Sequence, residues 1–380
     1  MRTFKRACDM KITSDFDGGN IRVIDSKNPD NIRLNIEKDN ASDFYQWFYY
    51  RVDGAQGRHL NMKLENAGKA AFTGGWENYS ACASYDDETW FRVPTQYADG
   101  VLNILHNPSH DTVWYAYFAP YPMARHHALI KEHAAKDGVT HSVLGQTLDG
   151  QNLDLLHVAG GDKTIWVDGR QHPGETMAQW WMEGFLGRLT DSDDDVAQEL
   201  LKHASFYIVP NMNPDGGVRG NLRTNAAGAN LNREWGIATM ERSPEVKLVM
   251  DKMDETTPNL VLDVHGDEAL PYNFIAGGEG VPGWRDIDQM RLDKFQEEYE
   301  KATPAFQRKV GYDVDAPGTA NMTIATNYFA HHHRCLAMTL EMPFKDDANH
   351  PDADFGWSAE RSAQLGHDVL PAMLAVIDDI

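Results

Sequence analysis

The chain has 380 residues, 42% hydrophobic and 24% charged, which leaves room for two domains of ordinary globular composition. A formal net charge of −22 argues against nucleic acid and anionic membranes as general partners, because both demand basic surface. Three cysteines, Cys8, Cys82 and Cys335, are too few and too scattered for a disulfide scaffold or a cysteine metal site, and they suit a reducing, cytoplasmic compartment.

At the N-terminus, Met1–Arg6 is basic, but Asp9, Lys11 and Asp15 follow in place of an apolar core, so no signal peptide is expected. No apolar run approaches the length of a membrane span. Up to about Pro122, short apolar or alternating runs recur at 21–24, 32–36, 47–52, 60–64, 90–93, 101–105 and 113–118. Gly, Asn, Asp and Pro punctuate them, a pattern that predicts an all-β antiparallel sandwich over 1–122.

From Met123 the pattern changes. Strands are expected at 153–158, 164–167, 206–209, 260–264 and 336–340. Helices are expected at 175–189, 196–203, 244–253, 294–302 and 359–376. Strands alternating with helices predict an α/β domain with a mostly parallel or mixed sheet over 123–380. Asp193-Asp194-Asp195 reads as a loop end and helix start, where acidic groups suit the dipole. Three consecutive histidines, His331 to His333, cannot all face one point, so they read as a loop or strand start with exposed rings.

His172-Pro173-Gly174-Glu175 follows the apolar run Thr164–Val167. A histidine and a glutamate three apart on such a turn can converge on one metal ion. His265 and Glu341 each end another apolar strand run, and in open α/β sheets that edge is where ligands bind. Glu341 follows six mostly apolar residues and would be costly to bury unpaired. The Gly- and Asn-rich segment 221–235 carries Arg223, Asn232 and Arg233. Arg233 can grip a carboxylate bidentately with Asn232 donating beside it, and Arg223 can stabilise an oxyanion. The competing reading pairs both arginines with the many acidic side chains.

In order, His172-Pro173-Gly174-Glu175, Asn213-Pro214-Asp215-Gly216, Asn221-Leu222-Arg223, Leu231-Asn232-Arg233-Glu234-Trp235, Asp263-Val264-His265-Gly266 and Thr339-Leu340-Glu341 resemble the zinc metallocarboxypeptidases. They are most similar to the cytosolic carboxypeptidase subgroup, whose β-sandwich precedes the catalytic domain. The resemblance implies one Zn2+ held by His172, Glu175 and His265, with Glu341 as general base and acid. It further implies Arg223 polarising the scissile carbonyl, and Asn232 with Arg233 holding the terminal carboxylate of a peptide or protein tail. A mobile tyrosine is also implied, with Tyr312 the first choice and Tyr328 the alternative. Removal of glutamate would require basic groups in the side-chain pocket, for which Arg219, His331, Arg334 and Lys345 are available. Two other readings are a zinc deacylase acting on N-acyl amino acids and a tail-binding protein without turnover.

Overall fold

The computed structural model describes residues 10–380; Cys8 and the basic segment Met1–Arg6 lie outside the described residues. Ten strands form the first part: β1 (Lys11–Thr13), β2 (Arg22–Asp25), β3 (Ile32–Asn35), β4 (Tyr49–Asp53), β5 (Leu60–Leu64), β6 (Ala81–Ser84), β7 (Trp90–Val93), β8 (Thr95–Ala98), β9 (Val101–His106) and β10 (Thr112–Ala116). They make two five-stranded sheets, in the orders β1-β4-β10-β6-β7 and β2-β3-β5-β9-β8. Alternation decides the inner face: Leu60, Met62 and Leu64 are buried while Asn61 and Lys63 are not.

One pair departs from the expected antiparallel pattern. β3 runs parallel to β5, with Ile32 opposite Met62. The chain leaves β3, crosses to the other sheet as β4, and returns in the original direction. Strands β1, β6 and β8 lie outside the expected runs. β6 is Ala-Cys-Ala-Ser, buried at all four positions, so it carries no alternating signal, and β8 is largely polar.

The second part runs α1 (Met123–Ala134), β11 (Val139–Gln146), β12 (Asn152–Val158), β13 (Lys163–Gly169), α2 (Met177–Leu189), α3 (Asp195–His203), β14 (Ala204–Val209), α4 (Pro214–Arg219), α5 (Pro244–Thr256), β15 (Leu260–Asp267), β16 (Phe274–Ala276), α6 (Asp286–Ala302), α7 (Ala325–His332), β17 (Leu336–Pro343), α8 (Ala359–His367) and α9 (Leu370–Val376). Its sheet order is β11-β12-β14-β13-β15-β17-β16. The four central strands are parallel, and antiparallel strands close both edges. Helices cover both faces. Ile165 and Val167 of β13 join a core with α2, α6, α8 and α9, while Trp166 joins another with α5 and α7. Helices α2 and α8 approach so closely that a Cβ on Gly184 would sit 1.7 Å from the Ala363 carbonyl oxygen.

Two helical expectations are corrected. Residues 359–376 form two helices, not one, because Pro371 lacks an N–H and its ring cannot sit inside a continuous helix. The histidine run ends helix α7 and is no loop or strand start. His332 stacks on Tyr328 and His333 on Phe329, each one helical turn away, and only His333 is largely shielded. Asp194 caps α3 as the acidic run suggested, accepting from the Ala197 N–H at 2.8 Å.

Candidate metal centre and substrate cleft

The four central strands aim their carboxyl ends at one edge. β13 ends at Gly169, and the chain then turns through Arg170, a non-glycine residue at φ 58°. Its buried guanidinium donates to the carbonyls of Pro173 and Tyr121 at 3.0 and 2.8 Å, which fixes the turn that presents His172 and Glu175. On the neighbouring strands, His265 lies opposite Glu341 in the β15–β17 register. Gly266 has no room for a side chain, since a Cβ there would sit 2.5 Å from the Met177 sulfur.

His172, Glu175 and His265 are buried, and one ligand atom from each lies within 4.8 Å of the others. His172 Nδ1 is 2.7 Å from Glu175 Oε1, His265 Nδ1 is 2.8 Å from Glu175 Oε2, and the two Nδ1 atoms are 3.2 Å apart. The opposite ring nitrogens are committed elsewhere. His172 Nε2 donates to Asn230 Oδ1 at 2.9 Å and His265 Nε2 to Asp263 Oδ2 at 2.8 Å. With the protons on Nε2, two imidazole lone pairs and a carboxylate face one point. That donor set fits a zinc ion, with outer partners that fix each tautomer. Burial with the nearby Arg223 lowers the His172 pKa to about 4, against the pull of Glu175.

Glu341 is 7% exposed, and its Oε2 has no hydrogen-bond partner. Burial raises its pKa, helped by the charges of Glu175, Asp267 and Glu268 and opposed by His265. A cleft of about 650 Å³ opens beside these groups and is lined by Arg223, Asn232, Arg233, Glu341 and Tyr312 as well. Ala325 N–H donates to Asn232 Oδ1 at 2.9 Å, which turns the amide nitrogen toward His265. Arg223 and Arg233 make no salt bridge among the described residues, despite the acidic surroundings. The competing reading of paired loop arginines is therefore not what the structure shows.

Tyr312 lines the cleft, donates to Asp267 Oδ2 at 2.7 Å and meets Phe274 edge-on. Tyr328 does not line it; it packs on Gly236 and His332. Arg219, His331, Arg334 and Lys345 are also outside the cleft, tied respectively to Asp149, the Pro282 carbonyl, the Pro282 and Gly283 carbonyls, and the Glu77 carbonyl. Besides Arg223 and Arg233, the cleft lining holds Arg308, held by Glu297 and Glu300, and Lys309, which forms no salt bridge among the described residues. Lys309, Arg170 and Asn230 carry no readable signal in the sequence; Asp263 does, two residues before His265 on one strand face. A second group, Asp254, His332 and His333, also brings ligand atoms within 4.8 Å, outside the cleft.

A parallel-centred α/β sheet with a buried His-Glu-His set at its carboxyl edge and unpaired arginines across the cleft defines a metal-dependent hydrolase of the carboxypeptidase type. Residues 127–362 match the family model described as zinc carboxypeptidase, and residues 12–118 match that of the cytosolic carboxypeptidase N-terminal domain. The chain belongs to the zinc carboxypeptidase family. It is 50% identical to an uncharacterized protein of Zymomonas mobilis, covering 98% of this chain and 97% of that one. It is similar to the solved metallo-carboxypeptidase of Burkholderia cenocepacia at 45% identity and TM-score 0.96, covering 98% and 100% of the two chains. The metallo-carboxypeptidase of Pseudomonas aeruginosa, solved in complex with (2-guanidinoethylmercapto)succinic acid, matches at 44% identity and TM-score 0.95, covering 97% and 99%.

Proposed function

We propose that this peptide hydrolase is a zinc-dependent carboxypeptidase that removes the terminal residue from peptide or protein tails in the cytoplasm. The observation that carries the reading is the pair of cleft arginines without carboxylate partners, facing the buried His172, Glu175 and His265 set. One zinc ion held by those three residues would supply Lewis-acid polarisation of water and of the scissile carbonyl. Glu341 takes the proton of the attacking water and delivers it to the leaving amine. Its shielded, unpartnered Oε2 suits a group that must change protonation state.

Arg233 and Asn232 hold the free terminal carboxylate, so that only the last peptide bond reaches Glu341. Arg223 donates to the carbonyl oxygen as it gains charge. Tyr312, exchanging its bond to Asp267 for one to the substrate, closes the cleft. Pro122, at the start of α1, serves as the boundary between the sandwich and the catalytic domain. A cytoplasmic setting agrees with free, buried Cys82 and Cys335, and no helix among the described residues is long and apolar enough to cross a membrane.

The terminal residue we favour is glutamate, whose side-chain carboxylate Lys309 can meet. A basic residue is the second reading, supported by Glu279 in the cleft lining and by the guanidino ligand of the Pseudomonas relative. The test is a peptide panel varied only in its last residue, each member with a free and an amidated terminus, assayed with and without a zinc chelator. Chelator-sensitive release from free termini alone is expected. Equal cleavage of amidated peptides, or turnover only of N-acyl amino acids, would overturn the reading.

A further inference from the structure

The loop that carries Arg223 is held from the sandwich side. Asp39, 3% exposed, lies between β3 and β4 and aims its carboxylate at three successive backbone amides. Oδ1 accepts from the Leu222 N–H at 2.6 Å. Oδ2 accepts from the N–H groups of Arg223 and Thr224 at 2.8 and 2.9 Å, and from Thr224 Oγ1 at 3.0 Å. Consecutive amides that converge on one anion form a nest, and the bonds to the carboxylate favour this backbone conformation.

The same short segment also sets the side chain. Asp39 N–H donates to the Phe44 carbonyl at 2.8 Å, closing the turn that places the Phe44 ring. Phe44 stacks on Phe72, and the Arg223 guanidinium lies 5.6 and 5.2 Å from the two ring centroids. Around this point Asn20 Nδ2 donates to the Gly220 carbonyl at 2.8 Å, and Asn40 Nδ2 to the Ala226 carbonyl at 2.7 Å. Backbone and side chain of Arg223 are thus both located by residues of the sandwich.

We infer that Asp39 is a positioning residue for the hydrolysis: through the 222–224 nest and the Phe44–Phe72 rings, the sandwich sets the Arg223 guanidinium where the carbonyl oxygen gains charge. The inference rests on the oxyanion role proposed for Arg223. A donor displaced by about an ångström loses most of its selective effect on the transition state, while ground-state binding through Arg233 is untouched. The signature is therefore a fall in kcat with KM nearly constant that Arg223→Gln absorbs, whereas a smaller folded fraction would multiply with the loss in Arg223→Gln.

The test compares the full-length wild type, Asp39→Asn, Arg223→Gln and the double variant, on one cleavable peptide with a free terminus, with zinc content measured for each. Asp39→Asn keeps the size of the side chain but turns a donor toward the amides. The expectation is a loss of about tenfold or more in kcat for Asp39→Asn, full zinc, and KM within about twofold. Arg223→Gln should lose about 100-fold or more, and the double variant no more than Arg223→Gln alone. Wild-type kcat in Asp39→Asn, or losses that multiply in the double variant, would overturn the inference. Unchanged turnover in Arg223→Gln would instead remove the role of Arg223 itself. If Asp39→Asn does not fold, Phe44→Leu, which keeps the carboxylate and removes one ring, takes its place. A kcat loss absorbed by Arg223→Gln then supports the inference, and an unchanged kcat overturns it.

Discussion

His265 gives its Nε2 proton to Asp263 Oδ2 at 2.8 Å, and that bond leaves Nδ1 as the atom facing Glu175 and His172. Asp263 is itself oriented by Gln171 Nε2 at 2.7 Å, and Gln171 by the Trp235 indole N–H at 2.9 Å. Asp263→Asn can offer its amide nitrogen where the carboxylate oxygen stood. Zinc affinity, read by chelator competition, should fall by about 10- to 100-fold. An unchanged dissociation constant would show that the ring needs no such support.

Glu341→Gln should bind zinc stoichiometrically and lose at least about 100-fold in kcat, because the amide cannot take a proton from water. Its Oε2 has no donor to lose, so the melting temperature should not drop. Metal analysis, calorimetry and peptide turnover on the same sample check all three parts. An active variant would reassign the base.

Lys309→Ala should lower kcat/KM for glutamate-terminated peptides by about threefold to tenfold and leave alanine-terminated peptides unchanged. The basic-residue reading gives the opposite pattern, with Glu279→Gln impairing arginine- or lysine-terminated peptides. Measuring both variants on the same panel decides between them.

Glu245, fully buried in α5, has its carboxyl pushed up to about 7 by burial, against a hydrogen bond from Asn225. A folded-state pKa above the unfolded one means that the unfolded chain loses this proton first. Stability is therefore retained below about pH 4.5 and lost as pH rises through 7. Glu245→Gln should stabilise the protein by roughly 2–3 kcal/mol at pH 8 and by much less at pH 5. Equal melting shifts at the two pH values would contradict the burial argument.

The juxtaposition of His172, His265 and Glu341 is legible in the sequence because these residues sit at or just past the ends of apolar strands. The runs before His265 and Glu341 read as buried strands, and parallel β15 and β17 place the two residues side by side. Other features leave no such trace. Asp39 reads as one more acidic loop residue, because its partners lie 183 to 185 positions away. Helix α7 is short and ends in histidines, so its period is carried by too few apolar positions to separate it from a loop. The side-chain pocket is the least readable part. Lys309 and Tyr312 come from a stretch without regular structure, and there no period ties residue type to direction.

The cleft has two walls of unlike construction. His172, His265 and Glu341 hang from adjacent central strands, whereas residues 308–319, which carry Lys309, form a largely exposed stretch without regular structure. Under the proposed function, substitutions in that stretch change which terminal residue is admitted without shifting His172, His265 or Glu341. The fold therefore leaves one wall free to be reshaped without disturbing the other.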